Sequence, residues 1–183
     1  MNTTILIWGS EDMNSFESTT MPWHSQSTRA TNVEIYGLST IGSYSFYNFK
    51  QLSRIILPLQ LETIENYTFY STSSSNIEIP SSVTYIGEYA FASISTLSTI
   101  ITSKTSEPET CDDTTFDSIS ADYVNVPVSY SSSDFCGKTL KSSGSCASSD
   151  SYCHWELYWD TGKLVISGSG AMTDYSSTSF PWY

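Results

Sequence analysis

The chain has 183 residues, of which 39% are hydrophobic and 14% aromatic, and carries 19 acidic against 7 basic side chains for a net charge of −12. That apolar content is enough for a core and argues against wholesale disorder; the acidic excess, read as a solubility device since no D-x-D-x-D-G calcium loop occurs, repels phosphate and makes nucleic acid and anionic membranes poor partners. No stretch approaches the roughly 18 to 20 continuous apolar residues of a membrane span, and the opening MNTTILIWGSED has neither the basic start nor the apolar length of an export signal.

In chain order, the first recognisable segment is ILIWGSEDMNSFESTTMPWH at 5–24, and nearly the same string closes the chain as LVISGSGAMTDYSSTSFPWY at 164–183. The two align without a gap at an offset of 159, with 8 of 20 positions identical, among them Ile7/Ile166, Gly9/Gly168, Pro22/Pro181 and Trp23/Trp182. Residues 1–32 are therefore read as a truncated cap block, whose Ile5 to Ile7 strand has no partner strand before it and leaves an apolar edge bare. Both ends are expected to be the least ordered parts of the fold.

From 33 to 130 a shorter period takes over. Ile35, Leu57 and Ile79 are spaced by 22 and 22, Ile41, Ile64 and Ile86 by 23 and 22, and Phe46, Phe69 and Phe91 by 23 and 22, with Phe116 following after 25. Such periods, each with one short strand, belong to leucine-rich-repeat solenoids. Each unit opens on a two-residue alternation (Val33/Ile35, Ile55/Leu57, Ile77/Ile79, Val124/Val126), which turns one strand face inward. In three units Pro58, Pro80 or Pro127 then ends the strand, because proline cannot donate to a ladder. A unit this short cannot bury its apolar face alone, so stacking must place the four phenylalanines in one core column. Tyr85 and Tyr89 are read as half-buried packing rather than sugar platforms.

Residues 131–150 lack periodicity and read as a junction. At 151–183 two alternating segments, Trp155 to Trp159 and Leu164 to Ile166, flank the turn-forming Asp160-Thr161-Gly162-Lys163, which predicts a β-hairpin that starts a second cap block. Pro181-Trp182 would seal its open end.

Candidate chemistry is sparse. His24 and His154 each adjoin a tryptophan and are read as packing or solvent-facing residues, not as bases. SGSGAM has neither the spacing of a nucleophile elbow nor that of a phosphate loop. Asp112 and Asp113 are adjacent on one turn and point apart, so paired-carboxylate hydrolysis is disfavoured; the chain is read as non-enzymatic, with no cofactor and no metal. Cys146, Cys153 and His154 fit no common zinc spacing. Of the three ways to pair Cys111, Cys136, Cys146 and Cys153, Cys136 with Cys146 or Cys153 is expected, leaving Cys111 unpaired on a turn. The sequons at Asn2 and Asn66 and the even cysteine count lean towards an extracellular protein.

The functional candidate is the outward strand face. Its positions form columns, Asn32, Arg54, Asn76, Thr99, Tyr123 and beside them Glu34, Ile56, Glu78, Ile101, Asn125, with bare isoleucines among polar residues. A mixed surface of that kind suits weak protein binding. The binding set read from it is Arg54, Ile56, Asn76, Glu78, Thr99, Ile101, Tyr123 and Asn125.

The units resemble those of the BspA-like leucine-rich-repeat surface proteins. NIEIPSSVTYIGEYAF (76–91) meets the family pattern almost completely, while LSRIILPLQLETIENYTF lacks its glycine and NVEIYGLSTIGSYSF its proline. The family's preceding block, a tryptophan strand followed by G-x-L-x-I-S-G-x-G-x-M and P-W, is matched by Trp155 to Tyr183 and by Ile5 to Trp23, with Glu11 and Asp12 departing from it. The resemblance implies a β-rich solenoid of short parallel strands with a flanking hairpin cap block, conventionally grouped as α/β. It further implies a secreted or cell-surface protein that adheres to host or microbial surface proteins or extracellular matrix, without itself inserting into a membrane. The alternatives are a carbohydrate-binding module using Trp155, Trp159 and Trp182 as platforms, and a piece of a longer gene product with no independent role.

Overall fold

The repeated alternations form strands at the expected places, and each strand lies beside its counterpart one period away. In the computed structural model, which describes residues 3–10, 12–146 and 152–169, these are β1 (Thr3–Trp8), β2 (Ala30–Tyr36), β3 (Thr40–Ile41), β4 (Arg54–Ile56), β5 (Thr63–Ile64), β6 (Asn76–Ile79), β7 (Tyr85–Ile86), β8 (Thr99–Thr102), β9 (Tyr123–Asn125), β10 (Thr139–Ser145), β11 (Tyr152–Tyr158) and β12 (Lys163–Ser169). The one helical element described is a single 3-10 turn at His24–Gln26. The Asn2 sequon, Glu11 and the closing Pro181-Trp182 lie outside the described residues, as does most of the second cap motif.

One row of strands runs parallel in two pieces, β1-β2-β4 and β6-β8-β9-β10, and β11 and β12 are added to the second piece antiparallel. A second parallel row, β3-β5-β7, pairs Ile41 with Ile64 and Ile64 with Ile86. The first three units thus contribute one strand to each row, and the apolar residues of both point into the space between: Ile35, Ile41, Ile64, Ile79 and Ile86 are all at most 1% exposed.

The phenylalanine column fills that space. Phe46, Phe69, Phe91 and Phe116 stack with centroid separations of 5.2, 5.4 and 5.6 Å and near-parallel planes. Trp23 lies on Phe46 at 5.7 Å and donates its indole N–H to the Ser45 carbonyl at 2.8 Å, so the Pro-Trp of the first cap motif covers the first ring. Phe135 closes the far side against Phe116 at 6.3 Å.

The turns that carry these rings are also bonded from unit to unit. Phe46 N–H donates to the Thr68 carbonyl at 2.8 Å, Phe69 N–H to Ala90 at 2.8 Å and Phe91 N–H to Thr115 at 3.0 Å. Two positions before each of the first three phenylalanines the backbone is left-handed, at Tyr44, Tyr67 and Tyr89 (φ 61°, 56° and 55°). Two positions after each of the four it is left-handed again, at Asn48, Ser71, Ser93 and Ser118. Side-chain-bearing residues resist this region at a cost of order 1 kcal/mol. Here it aims N–H groups along the stack: Tyr67 donates to Glu88 at 3.0 Å, Asn48 to Tyr70 at 2.9 Å and Ser93 to Asp117 at 2.8 Å. Each such bond returns about 0.5 to 1.5 kcal/mol, which offsets the strain.

The glycine after the isoleucine in the first and third units is steric. A Cβ on Gly42 would meet the Asn14 carbonyl, and one on Gly87 the backbone and side chain of Asn66. The second unit has Glu65 instead, and uses it: its carboxylate accepts from Ser43 N–H at 2.9 Å, from the Ser43 hydroxyl at 2.8 Å and from the Ser15 hydroxyl. Burial alone would raise the Glu65 pKa, but the hydrogen bonds from Ser15 and Ser43 outweigh it and hold the group below its ordinary value.

Three expectations require correction. Cys111 is not unpaired: it bonds to Cys136, and Cys146 bonds to Cys153, with Cα separations of 5.2 and 5.1 Å. The physical reason is stacking, because Cys111 and Cys136 are 25 residues apart, the separation of Phe91 and Phe116, and so sit on successive turns. Residues 139–145, expected to be shapeless junction, are β10, which pairs with β9 through Thr139↔Tyr123 and Lys141↔Asn125. Its inward Leu140 is 1% exposed; the segment is serine-rich, yet the ladder and one buried leucine suffice. The hairpin β11–β12 forms as expected but pairs with β10, extending the existing row rather than opening a new one.

Phe69→Ala should cost about 3 to 5 kcal/mol in chemical denaturation, since it removes a fully buried ring from the middle of the column. Cys111→Ser should cost about 3 kcal/mol, the loop-closure value for a cross-link of this span. In acid, the sign follows from a carboxyl whose folded pKa lies below the ordinary 4.5. Its contribution is complete above that ordinary value and is lost as pH falls through the depressed folded one. Glu65→Gln should therefore be less stable than the parent at about pH 7 and converge with it as the pH falls through the depressed folded value, as read by denaturant midpoints at each pH.

Candidate functional site

Strand alternation and parallel register together decide what the outer face presents. Leu6, Glu34 and Ile56 lie side by side across β1, β2 and β4, and Glu78, Ile101 and Asn125 across β6, β8 and β9. The flanking row runs Thr4, Asn32, Arg54 and then Asn76, Thr99. The columns read from the sequence are therefore real rows of neighbours. At their far end the residues are partnered and half-buried: Tyr123 sits edge-on against Tyr158 at 5.1 Å, and Asn125 accepts from the Ser143 hydroxyl at 3.4 Å. Beside them Lys141 pairs with Glu156 at 2.8 Å, which with the Tyr158 hydroxyl holds Glu156 below its ordinary pKa. Arg54, Ile56, Asn76, Glu78, Thr99 and Ile101 remain accessible, with Ile101 43% exposed.

The near end carries more than was expected. Trp8 (76% exposed), Leu6 (54%), Tyr36 (49%) and Leu59 (85%) form an apolar and aromatic strip, with Trp8 directly opposite Tyr36 in the register. Their signal was in the alternation, which continues past Ile7 and Ile35 by one further outward residue.

Between β4 and β6 the row of strands is interrupted: the two lie side by side but share no ladder. A cleft of about 670 Å³ opens there, lined by Tyr36, Ile56, Pro58, Leu59, Glu78 and Pro80 among others. The break reaches the core. At the first inward position Val33, Ile77, Ile100 and Val124 are at most 2% exposed, whereas Ile55 is half-buried and lines the cleft. On one rim the Tyr36 hydroxyl donates to Glu34 at 2.9 Å, which pushes the phenol pKa up, and Glu34 also pairs with Arg54 at 3.6 Å. On the other rim Glu78 is exposed and, among the described residues, has no hydrogen-bond or ion-pair partner.

Elsewhere, Tyr44, Tyr67 and Tyr89 stack at 5.1 Å intervals, and Tyr47 stacks on Tyr70 at 5.2 Å. Both faces of Tyr67 are occupied by its neighbours, so the ladder is packing. Trp155 is only 4% exposed, and burial overturns it as a sugar platform; Trp159 is half-buried and donates its indole N–H to Ser142 at 3.1 Å. Cys146 and Cys153 are consumed in a disulfide and offer no thiolate to a metal; the same is true of the Glu107, Cys111, Cys136 group. Asp112 caps its own turn by accepting from Thr114 N–H at 2.9 Å. Asn66 is half-buried and accepts from Glu88 N–H at 3.0 Å, while Thr68 of the same sequon is buried, so this sequon is part of a stacked turn.

A row of parallel strands backed by stacked turns at 22- to 25-residue spacing, with side-chain columns on the outer face and no assembled catalytic group among the described residues, defines a leucine-rich-repeat protein. The family model for the BspA type leucine-rich repeat region matches residues 24–140 in six copies, and the chain belongs to that family. The match reaches Leu140 at the start of β10 and so includes the first half of the segment read as junction. No curated protein and no solved structure matches the chain.

Proposed function

We propose that the chain is a non-enzymatic leucine-rich-repeat solenoid that recognises proteins through its outer strand face, as a secreted or cell-surface module. The observation that carries this is the apolar strip of Leu6, Trp8, Tyr36 and Leu59 running into the β4/β6 cleft. Exposed tryptophan and tyrosine beside a cleft are the residue types that dominate protein-binding energies. Ile56 lies at the cleft wall, and unpartnered Glu78 on its rim favours a basic group on the partner. Family membership supports a surface repeat protein, and two disulfides suit an oxidising compartment. No helix among the described residues is long and apolar enough to cross a membrane. The partners we propose are host or microbial surface proteins or extracellular matrix.

The test is binding to immobilised matrix proteins and to epithelial or bacterial cells. Changing Ile56 and Glu78 together to Lys, and separately Trp8 and Tyr36 to Ala, should each weaken binding at least tenfold, about 1.4 kcal/mol or more, without shifting the melting temperature by more than a few degrees. Unaltered binding by both variants would overturn the strand-face reading.

A further inference from the structure

The first copy of the duplicated cap motif is docked on a neighbouring strand, and the second, described as far as Ser169, has no strand on the corresponding edge among the described residues. In the first copy β1 runs parallel to β2, with Ile5, Leu6 and Ile7 opposite Val33, Glu34 and Ile35. Ile5 and Ile7 pack half-buried against the core, and Gly9 N–H donates to the Tyr36 carbonyl at 3.2 Å. The Gly9 carbonyl lies so close to Gly37 that a Cβ there has no room. Beyond the strand the motif keeps following its partner, through Met13 N–H to Thr40 at 3.1 Å and Phe16 N–H to Ser43 at 2.9 Å.

In the second copy the counterparts are Leu164, Val165, Ile166 and Gly168 on β12, from the gapless alignment at an offset of 159. One side of β12 carries β11, with Leu164 opposite Leu157 and Ile166 opposite Trp155. On the other side, among the described residues, there is no strand. Leu164 and Ile166 are 38% and 46% exposed, although their side of the strand is that of Trp155, which is 4% exposed. An apolar row on the core side thus ends at an open backbone edge.

We infer that the free edge of β12 docks onto β2 of a second copy of this chain, taking the place that β1 holds in its own. The complementarity is already displayed within the molecule: β2 accepts this motif in parallel, so the register across the new contact is Leu164 to Val33, Val165 to Glu34 and Ile166 to Ile35. Each copy donates with β12 and accepts with β2. The contact is therefore heterologous and open-ended, and builds a head-to-tail series rather than a closed dimer. Within one molecule β1 competes for β2 at high effective concentration. Exchange is accordingly held down while β1 is intact and promoted when β1 is weakened.

The experiment uses the full chain. The Ile5→Lys, Ile7→Lys variant should form a concentration-dependent ladder of oligomers in sedimentation velocity, and adding Leu164→Lys and Ile166→Lys should return it to the monomer. Oligomers that persist with all four changes would be unspecific association through the uncovered core and would overturn the proposal, as would a variant that folds and stays monomeric. A second measurement does not depend on the lysine variants folding. Glu34→Cys and Val165→Cys chains, mixed and oxidised slowly, should yield a 34–165 cross-link in peptide mapping well in excess of 34–34 and 165–165 links. A statistical mixture of the three would overturn the parallel register.

Discussion

The architecture depends on one constraint, that every unit must place its phenylalanine directly over the previous one. A unit of about 22 residues has too little apolar surface to close a core, so its ring must find its lid in the next unit. Near-parallel stacking of Phe46, Phe69, Phe91 and Phe116 makes the turns superimpose, and superimposed turns bring N–H groups under carbonyls one period away. Those bonds in turn tolerate left-handed tyrosines and serines that would be strained elsewhere. The column needs a lid at each end, and the molecule provides Trp23 at one and Phe135 at the other.

The same constraint produces the outer strand face. With the core side occupied by one apolar row per strand, the alternate residues are freed from packing and can vary from unit to unit. The face is correspondingly heterogeneous: glutamate, isoleucine, glutamate, isoleucine and asparagine in one column. Where strict stacking lapses, between β4 and β6, the core itself becomes accessible through Ile55 and the cleft appears. The cleft on which the proposed recognition rests thus lies where the repeat is least regular.

The two cap motifs show how one sequence serves two settings. Around β1 it closes the near end of the repeat stack with a strand edge and a tryptophan. Around β12 the strand is held from its other side by β11, and Cys146–Cys153 ties the end of β10 to the start of β11. One copy thus carries its neighbour on one side and the other copy carries it on the opposite side, which is the basis of the end-to-end association we propose.

The repeat period, the inward residues, the strand positions, the outer columns and the hairpin were all legible in the sequence, because each rests on local alternation or on a fixed spacing that stacking must respect. The tyrosine ladder was equally legible, since Tyr44, Tyr67 and Tyr89 keep the 23- and 22-residue spacing of the phenylalanines. What only the tertiary structure decided is where the regularity stops. The Cys111–Cys136 pairing, the strand inside a serine-rich segment, the covering of Tyr123 by Tyr158 and the opening between β4 and β6 all depend on which turn or strand meets which across space. Local propensity contains no information about such meetings: they follow from a balance of ladder bonds and buried area between neighbouring units.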